Sequence, residues 1–389
     1  GRGSRATPLR GLHMGWLALA AGLPCHLGRQ TQRGFACGGS RWTATRGRRQ
    51  PRVERHIGKR GRFLRPETSI STPVQEYEPS VPAGGTRFFT GIGQLMEHYD
   101  AFAVDQYGVL HDGETAYPGA ADCLAQLRAA GKRVVILSNY AGRAEVQRRR
   151  LRGIGIDPYH VDGVVTSGEI AHRYLSRYQD KLGCRVLWIA WPKLEQRGLS
   201  DYFSELEDYK LVKDVAEADF LLVSGVGTLY AGTDAAKGMR FEKDGDPVPF
   251  EPMFRAAIHA SKPMVCANPD HKVVRPGGWR AHLPGALAEH FERLGGRVIY
   301  FGKPYTSAFE EVRRIFDDLS AGGRICHIGD SLHHDVGGAT TAGFDAAFVV
   351  RTGIHAKDLP KEPNFEDIFQ LCRKQKTPVP AAVVPRFTW

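Results

Sequence analysis

Apolar residues in this chain fall in short runs that stop at polar or turn-forming positions. Residues 101–104 run into Asp105-Gln106-Tyr107-Gly108, 134–137 stop at Ser138-Asn139, 298–301 at Gly302-Lys303-Pro304, and 325–328 at Gly329-Asp330. Runs of this length, bounded by glycine and proline, predict buried strands. Residues 118–131 open on proline and end on glycine, which predicts a helix between the first two runs. Strand, helix, strand over 101–137 predicts a βαβ unit with parallel strands and a right-handed crossover. Ligands of such sheets gather at the carboxyl ends of the strands, where Asp105 and Ser138 would meet.

Between Asn139 and Lys303 lie 163 residues, too many for one connection, so they must fold. A helix is predicted over 167–178 and apolar runs over 186–190, 220–223 and 264–266. Beyond Lys303 the pattern predicts a helix over 305–319, the strand ending at Asp330, a glycine-rich turn at Gly337-Gly338, a short helix, and a strand over 346–350. Five segments follow: a presequence and linker over 1–75, a first core part over 76–160, an inserted α/β cap over 161–267, a second core part over 268–371, and an irregular tail over 372–389 carrying Pro378, Pro380 and Pro385. The expected fold class is α/β, a Rossmann-like parallel-sheet core with an inserted α/β cap domain.

The 389 residues carry a net charge of +11, but its location changes its meaning. Residues 1–70 hold 15 Lys or Arg against only Glu54 and Glu67, leaving 38 basic and 40 acidic residues for the rest. A nucleic-acid binder needs its basic face on the folded domain, so no nucleic-acid partner is expected. Many arginines, few acids and no lasting periodicity are the composition of an organelle transit segment, for plastid or mitochondrion. The apolar patch over 14–25 has the length of a signal peptide's central region, which is compatible with a two-part address and too short for a membrane span. The 7 cysteines form no CxxC pair, which suits a reducing compartment better than a zinc site or a disulfide frame.

Transfer of a phosphoryl group needs a nucleophile, cationic and hydroxyl contacts for the phosphate oxygens, and a divalent cation. Asp105 can attack, Ser138 and Lys303 can hold phosphate, and Asp330 with Asp335 can hold Mg²⁺, a hard cation that takes a few carboxylates plus waters. Taken singly each residue has a plain alternative: Asp105 as a turn former, Lys303 before Pro304 as a helix start. His333-His334 and the arginines of 148–150 read as solvated surface, Asp112 as a loop or capping residue, and Gly225-Val226-Gly227 as a turn rather than a phosphate loop.

As an ordered set, Asp105-Gln-Tyr-Gly-Val-Leu110, Ser138-Asn139, Lys303-Pro304 and Gly329-Asp330-Ser-Leu-His-His-Asp335 resemble the four motifs of the haloacid dehalogenase superfamily, over roughly residues 95 to 355. The long insertion with Asn268-Pro269-Asp270 near its end looks like the class IIA subgroup of nucleotide and sugar-phosphate phosphatases; Thr166-Ser167-Gly168-Glu169 and the stretch from Arg351 to His355 echo it more weakly. The resemblance implies that Asp105 forms an aspartyl-phosphate. Mg²⁺ would lie between Asp105, the backbone carbonyl of Tyr107 and Asp330, with Asp335 beside it. Lys303 would pair with phosphate and Asp105, while Ser138 and Asn139 would bind phosphate and Asn268 and Asp270 would meet substrate. The implied substrate is a small phosphorylated metabolite, and a homo-oligomer is compatible with the sequence.

One departure from the family pattern bears on activity. Family phosphatases carry a second Asp two residues after the nucleophile, which protonates the leaving group and later activates water; this chain has Tyr107. Losing such a group costs about 10²- to 10⁴-fold in rate, or roughly 3 to 5 kcal/mol of barrier. The expectation is a slow phosphatase or one confined to good leaving groups, with a non-catalytic relative that binds a phosphorylated ligand as the alternative. Tyrosine here also resembles the metal-free dehalogenase branch, but that branch lacks the acids that this chain keeps at 330 and 335.

Overall fold

The computed structural model describes residues 77–389 apart from 195–199, 201, 207, 276, 318, 320 and 321. The presequence expected over 1–75 lies outside them. In chain order the first part comprises β1 (Arg87–Phe88), β2 (Ala101–Val104), α1 (Ala120–Ala129), β3 (Arg133–Ser138), α2 (Ala144–Gly153), β4 (Gly163–Thr166) and α3 (Ser167–Leu182). The middle comprises β5 (Arg185–Ala190), β6 (Lys210–Leu211), β7 (Phe220–Val223), β8 (Thr228–Leu229), β9 (Lys237–Gly238), α4 (Phe241–Asp244), α5 (Glu251–His259), β10 (Met264–Cys266), β11 (Lys272–Val274), β12 (Arg280–His282), α6 (Pro284–Arg293) and β13 (Val298–Tyr300). The last part comprises α7 (Thr306–Ile315), β14 (Ile325–Gly329), α8 (Gly338–Thr341), β15 (Asp345–Val349), α9 (Phe365–Gln375) and β16 (Ala382–Val384).

Two sheets result. The core sheet is parallel, in the order β1-β16-β15-β14-β2-β3-β4. Alternation along its strands separates two apolar faces, as the period of two requires. Phe102, Val104, Val134 and Ile136 face the side of α1, packed with its Cys123, Leu124 and Leu127. Ala101, Ala103, Val135 and Leu137 face the side of α7, with its Phe309 and Val312. The second sheet runs β13-β10-β7-β5-β8-β9, with β6 on β5, and a separate hairpin pairs β11 with β12. Together the two sheets form the expected α/β core with an α/β insertion. Among the described residues no helix is long and apolar enough to cross a membrane.

Two expected boundaries move. The core was expected to resume at Asn268, yet β13 pairs with β10 in the second sheet, Val265 opposite Ile299, so the chain returns to the core only after Tyr300. The opposite edge moves as well: β4, placed in the cap by a border at 161, pairs with β3 in the core sheet. A buried apolar run identifies a strand without saying which sheet accepts it, because both sheets offer the same environment. The irregular tail is also corrected. α9 continues to Gln375, and Ala382–Val384 enters the core sheet between β15 and β1. Pro380 and Pro385 flank this strand rather than interrupt it, so no ladder hydrogen bond is lost.

Phe309 is fully buried and sets its ring edge-to-face on His327 at 5.4 Å and on Phe344 at 5.6 Å, joining α7 to the core sheet. Phe309→Ala should lower the unfolding free energy by about 3–5 kcal/mol, read as a shifted urea midpoint.

Candidate active site

Parallel strands end along one edge of a sheet, and β14, β2 and β3 are neighbours. Ile328 is level with Val104 and Val104 with Ile136, so Asp330, Asp105 and Ser138 emerge side by side. They floor a cleft of about 1270 Å³ whose lining also includes Asn268, Asp270 and residues of the β11–β12 hairpin. The sequence-predicted residues Asp105, Tyr107, Ser138, Asn139, Asn268, Asp270, Lys303, Asp330 and Asp335 all line it.

Lys303 reaches this floor from the other sheet, on the turn between β13 and α7. Its Nζ donates to Asp105 Oδ1 at 2.6 Å and to Asp335 Oδ1 at 2.7 Å while only 2% of the residue is exposed. Gly302 makes the turn possible: its φ is +110°, and a Cβ there would stand 2.1 Å from Ser167 Oγ and 2.5 Å from Asn139 Oδ1. Asn139 clamps the same turn, accepting from Lys303 N at 2.7 Å and donating to Lys303 O at 2.9 Å and Asp270 Oδ1 at 2.7 Å. The side chain expected to bind phosphate therefore spends its hydrogen bonds on positioning Lys303.

Ser138 fits the phosphate role. Its Oγ accepts from Gln106 Nε2 and from Tyr140 N–H, so its own proton is left to point outward. Gln106 is held in turn by buried Gln147, whose Nε2 donates to Gln106 Oε1 at 2.7 Å.

Asp105, Asp330 and Asp335 are buried, each with an oxygen within 4.8 Å of the others. They differ in what they have left to offer. Asp335 Oδ1 meets Lys303 and His327 Nε2, and its Oδ2 accepts from Ser331 N–H at 2.8 Å, so both oxygens are engaged. Asp105 uses one oxygen for Lys303, and Asp330 one for Ile354 N–H at 2.6 Å, leaving one oxygen on each without a hydrogen-bond partner among the described residues. Gly108 permits this approach: a Cβ there would lie 2.5 Å from Asp330 Oδ2, and its φ is +85°.

Burial dominates the electrostatics. It pushes the Asp105 carboxyl up to about 6, with Lys303 opposing and Asp335 adding. Burial together with Asp105 and Asp335 pushes Asp330 well above the usual carboxylate range. Burial also acts against the charges of Asp335 and Lys303, but Lys303 and His327 outweigh it and hold Asp335 low, while Asp105 and Asp335 hold Lys303 high. A divalent cation suits this donor set, because it would relieve the repulsion between the Asp105 and Asp330 carboxylates, with the open oxygen of Asp330 to receive it.

Tyr107 is half-buried, and its hydroxyl donates to Val274 O at the end of β11. The residue in the place of the family's second Asp therefore ties the nucleophile's loop to the hairpin across the cleft. His327 was missed by sequence reasoning. Its ring is fully buried between Ala103 O, 3.0 Å from Nδ1, and Asp335 Oδ1, 2.8 Å from Nε2. The signal was a histidine inside an otherwise apolar strand, where a polar ring must find partners. His333 is exposed as expected, whereas His334 is partly buried, with Nδ1 3.6 Å from Asp270 Oδ1.

Known proteins resemble this chain over both parts of its core. The haloacid dehalogenase-like hydrolase family matches residues 102–199, and a HAD-hydrolase-like family matches residues 300–369. The glycerol-3-phosphate phosphatase of Gallus gallus is 27% identical over 283 residues, covering 67% of this chain and 82% of that protein. A haloacid dehalogenase-like hydrolase from Brucella suis superposes with a TM-score of 0.60 at 25% identity, covering 77% of this chain and all of that one. A possible sugar phosphatase from Cytophaga hutchinsonii shares the fold, with a TM-score of 0.59 at 21% identity over 78% of this chain and 99% of its own. The stretch between the two family matches falls inside the second sheet, as expected of a core interrupted by a cap, and the chain belongs to the haloacid dehalogenase superfamily of hydrolases.

Proposed function

We propose that this protein is a Mg²⁺-dependent phosphatase that hydrolyses a small phosphate monoester through an aspartyl-phosphate on Asp105. The observation that carries this reading is the buried Lys303 ammonium held between Asp105 and Asp335 beside the open oxygen of Asp330. Asp105, Asp330 and the carbonyl of Tyr107 would hold the cation, and Asp335 would serve by orienting Lys303. When bound, the cation would offset phosphate charge and polarise the ester.

The chain's own residues supply the rest. Asp105 must be ionised to attack, and Lys303 favours its charged form against the cost of burial. Lys303 and the Ser138 hydroxyl would donate to the phosphate oxygens, from positions fixed before substrate arrives. The hairpin wall would cover the strand ends and limit water, as lids do. Support for a small phosphate ester comes from the Gallus gallus relative, a glycerol-3-phosphate phosphatase. A relative that binds a phosphorylated ligand without turnover is the second reading, favoured by Tyr107, whose proton is engaged by Val274 O.

Phosphate release from p-nitrophenyl phosphate separates the two readings, because that leaving group needs little protonation. Release should require Mg²⁺, vanish with EDTA, and fall at least about 10³-fold in Asp105→Asn, as for loss of a nucleophile. Equal rates in wild type and variant would overturn the assignment of Asp105. A second expectation follows from the Tyr107–Val274 contact. Tyr107→Phe should raise KM about three- to tenfold, the equivalent of one lost hydrogen bond, with kcat changed less than about twofold. A collapse of kcat in steady-state kinetics would instead make the phenol a proton donor.

A further inference from the structure

In-line displacement places the leaving oxygen on the side of phosphorus away from the nucleophile. With Asp105 at the end of β2, that oxygen points away from the strand end into the rest of the cleft, which residues 268–274 help to line. An alcohol leaves poorly without a proton, so a donor is needed there. Three nearby groups do not supply it. The Tyr107 proton is engaged by Val274 O, and burial raises the phenol further above its usual range. Asp112 is wound into its own turn, accepting from Glu114 N–H at 2.9 Å and Thr115 N–H at 2.8 Å, and these bonds hold its carboxyl below the usual range and unprotonated. His111 accepts from Gly113 N–H through Nδ1, and its Nε2 is sealed from solvent.

Asp270 has the required placement. Its backbone is fixed on both sides, its N–H donating to Asn268 Oδ1 at 2.9 Å and its carbonyl accepting from Gly285 N–H at 2.9 Å. Its Oδ1 accepts from Asn139 Nδ2, the same group that holds the Lys303 carbonyl, so its position is coupled to the phosphate site. Its Oδ2 has no hydrogen-bond partner among the described residues, and the side chain keeps 28% of its surface open, lining the cleft. The titratable groups around it are His334, His333, Lys303, Asp335 and His271. Burial is the largest influence on the carboxyl and raises its pKa, against Asn139 and Lys303, which favours a proton on the open oxygen.

We propose that Asp270 is the general acid and base of this site, standing in for the family's second Asp from the loop that follows β10. The proposal rests on the phosphatase reading above. As an Asp105 oxygen bonds to phosphorus and the bond from phosphorus to the leaving oxygen breaks, Asp270 passes its proton to that oxygen and the alcohol departs. Water then bonds to phosphorus and the bond to Asp105 breaks. Asp270 takes one proton from that water, the other leaves with inorganic phosphate, and both carboxyls return to their starting states.

The test compares p-nitrophenyl, phenyl and n-butyl phosphate as substrates of the full-length protein with Mg²⁺, reading kcat/KM, which reports expulsion of the leaving group. Asp270→Asn keeps an oxygen to accept from Asn139 Nδ2, so the fold is expected to hold; its melting temperature checks this. The loss should grow along the series, from less than about tenfold on p-nitrophenyl phosphate to roughly 10²- to 10⁴-fold on n-butyl phosphate. Wild-type rates should accordingly depend less steeply on leaving-group acidity than the variant's. An equal loss on all three esters would assign Asp270 a positioning role and overturn the proposal, as would no loss. Wild-type protein that hydrolyses none of them would overturn the phosphatase reading and this assignment with it.

Discussion

A lysine ammonium at the bottom of the cleft, almost wholly removed from solvent, is the constraint around which the rest is arranged. Taking such a charge out of water costs several kcal/mol, recovered only with close, well-oriented partners. Lys303 has two, Asp105 and Asp335, and neither is left to find its place alone. Asp335 is fixed by Ser331 N–H and by His327, which is fixed by Ala103 O and the ring of Phe309. The backbone of Lys303 is fixed by Asn139, with Gly302 leaving room for the clamp. Removing one carboxylate from a buried pair leaves an uncompensated charge, typically at a cost of 3–5 kcal/mol. The site is thus a structural element as well as a chemical one.

The same arrangement sets the chemistry by dividing labour among three carboxylates of one type. Asp335 is consumed by its contacts and stays charged, Asp105 keeps one oxygen for attack, and Asp330 keeps one that has no hydrogen-bond partner among the described residues. Environment rather than residue identity makes the distinction, as pairs of acids pushed to different proton affinities do in general.

The core was legible in the sequence because its signals are local. An apolar run that ends on Asp105 or on Ser138 announces both a strand and its functional end, and α1 is bracketed by Pro118 and Gly131. What stayed hidden depends on pairing across the fold. Nothing in residues 298–300 says that this strand joins β10, and nothing in 382–384 says that an edge is open to it between β15 and β1. The site residues divide the same way. Asp105, Ser138, Lys303 and Asp330 follow from order and spacing, whereas Asn139 as a clamp and His327 as a brace become visible only when β3, β14 and the turn at Gly302 are brought together.

Tyr107 shows why a single missing acid does not settle what a site can do. A carboxylate at that position would sit beside Asp105 and Asp330, whose proton affinities are already raised by burial and by their neighbours, and a further negative charge would raise them more. A phenol adds no charge at neutral pH and is long enough to reach the backbone of the β11–β12 hairpin. The exchange trades a local proton donor for a strut between the nucleophile's loop and the hairpin that follows Asp270. Placing the donor on the cap rather than on the nucleophile's loop would make proton transfer depend on closure, so that a substrate too large for the cap to close over could be bound at the phosphate floor without its leaving group being protonated.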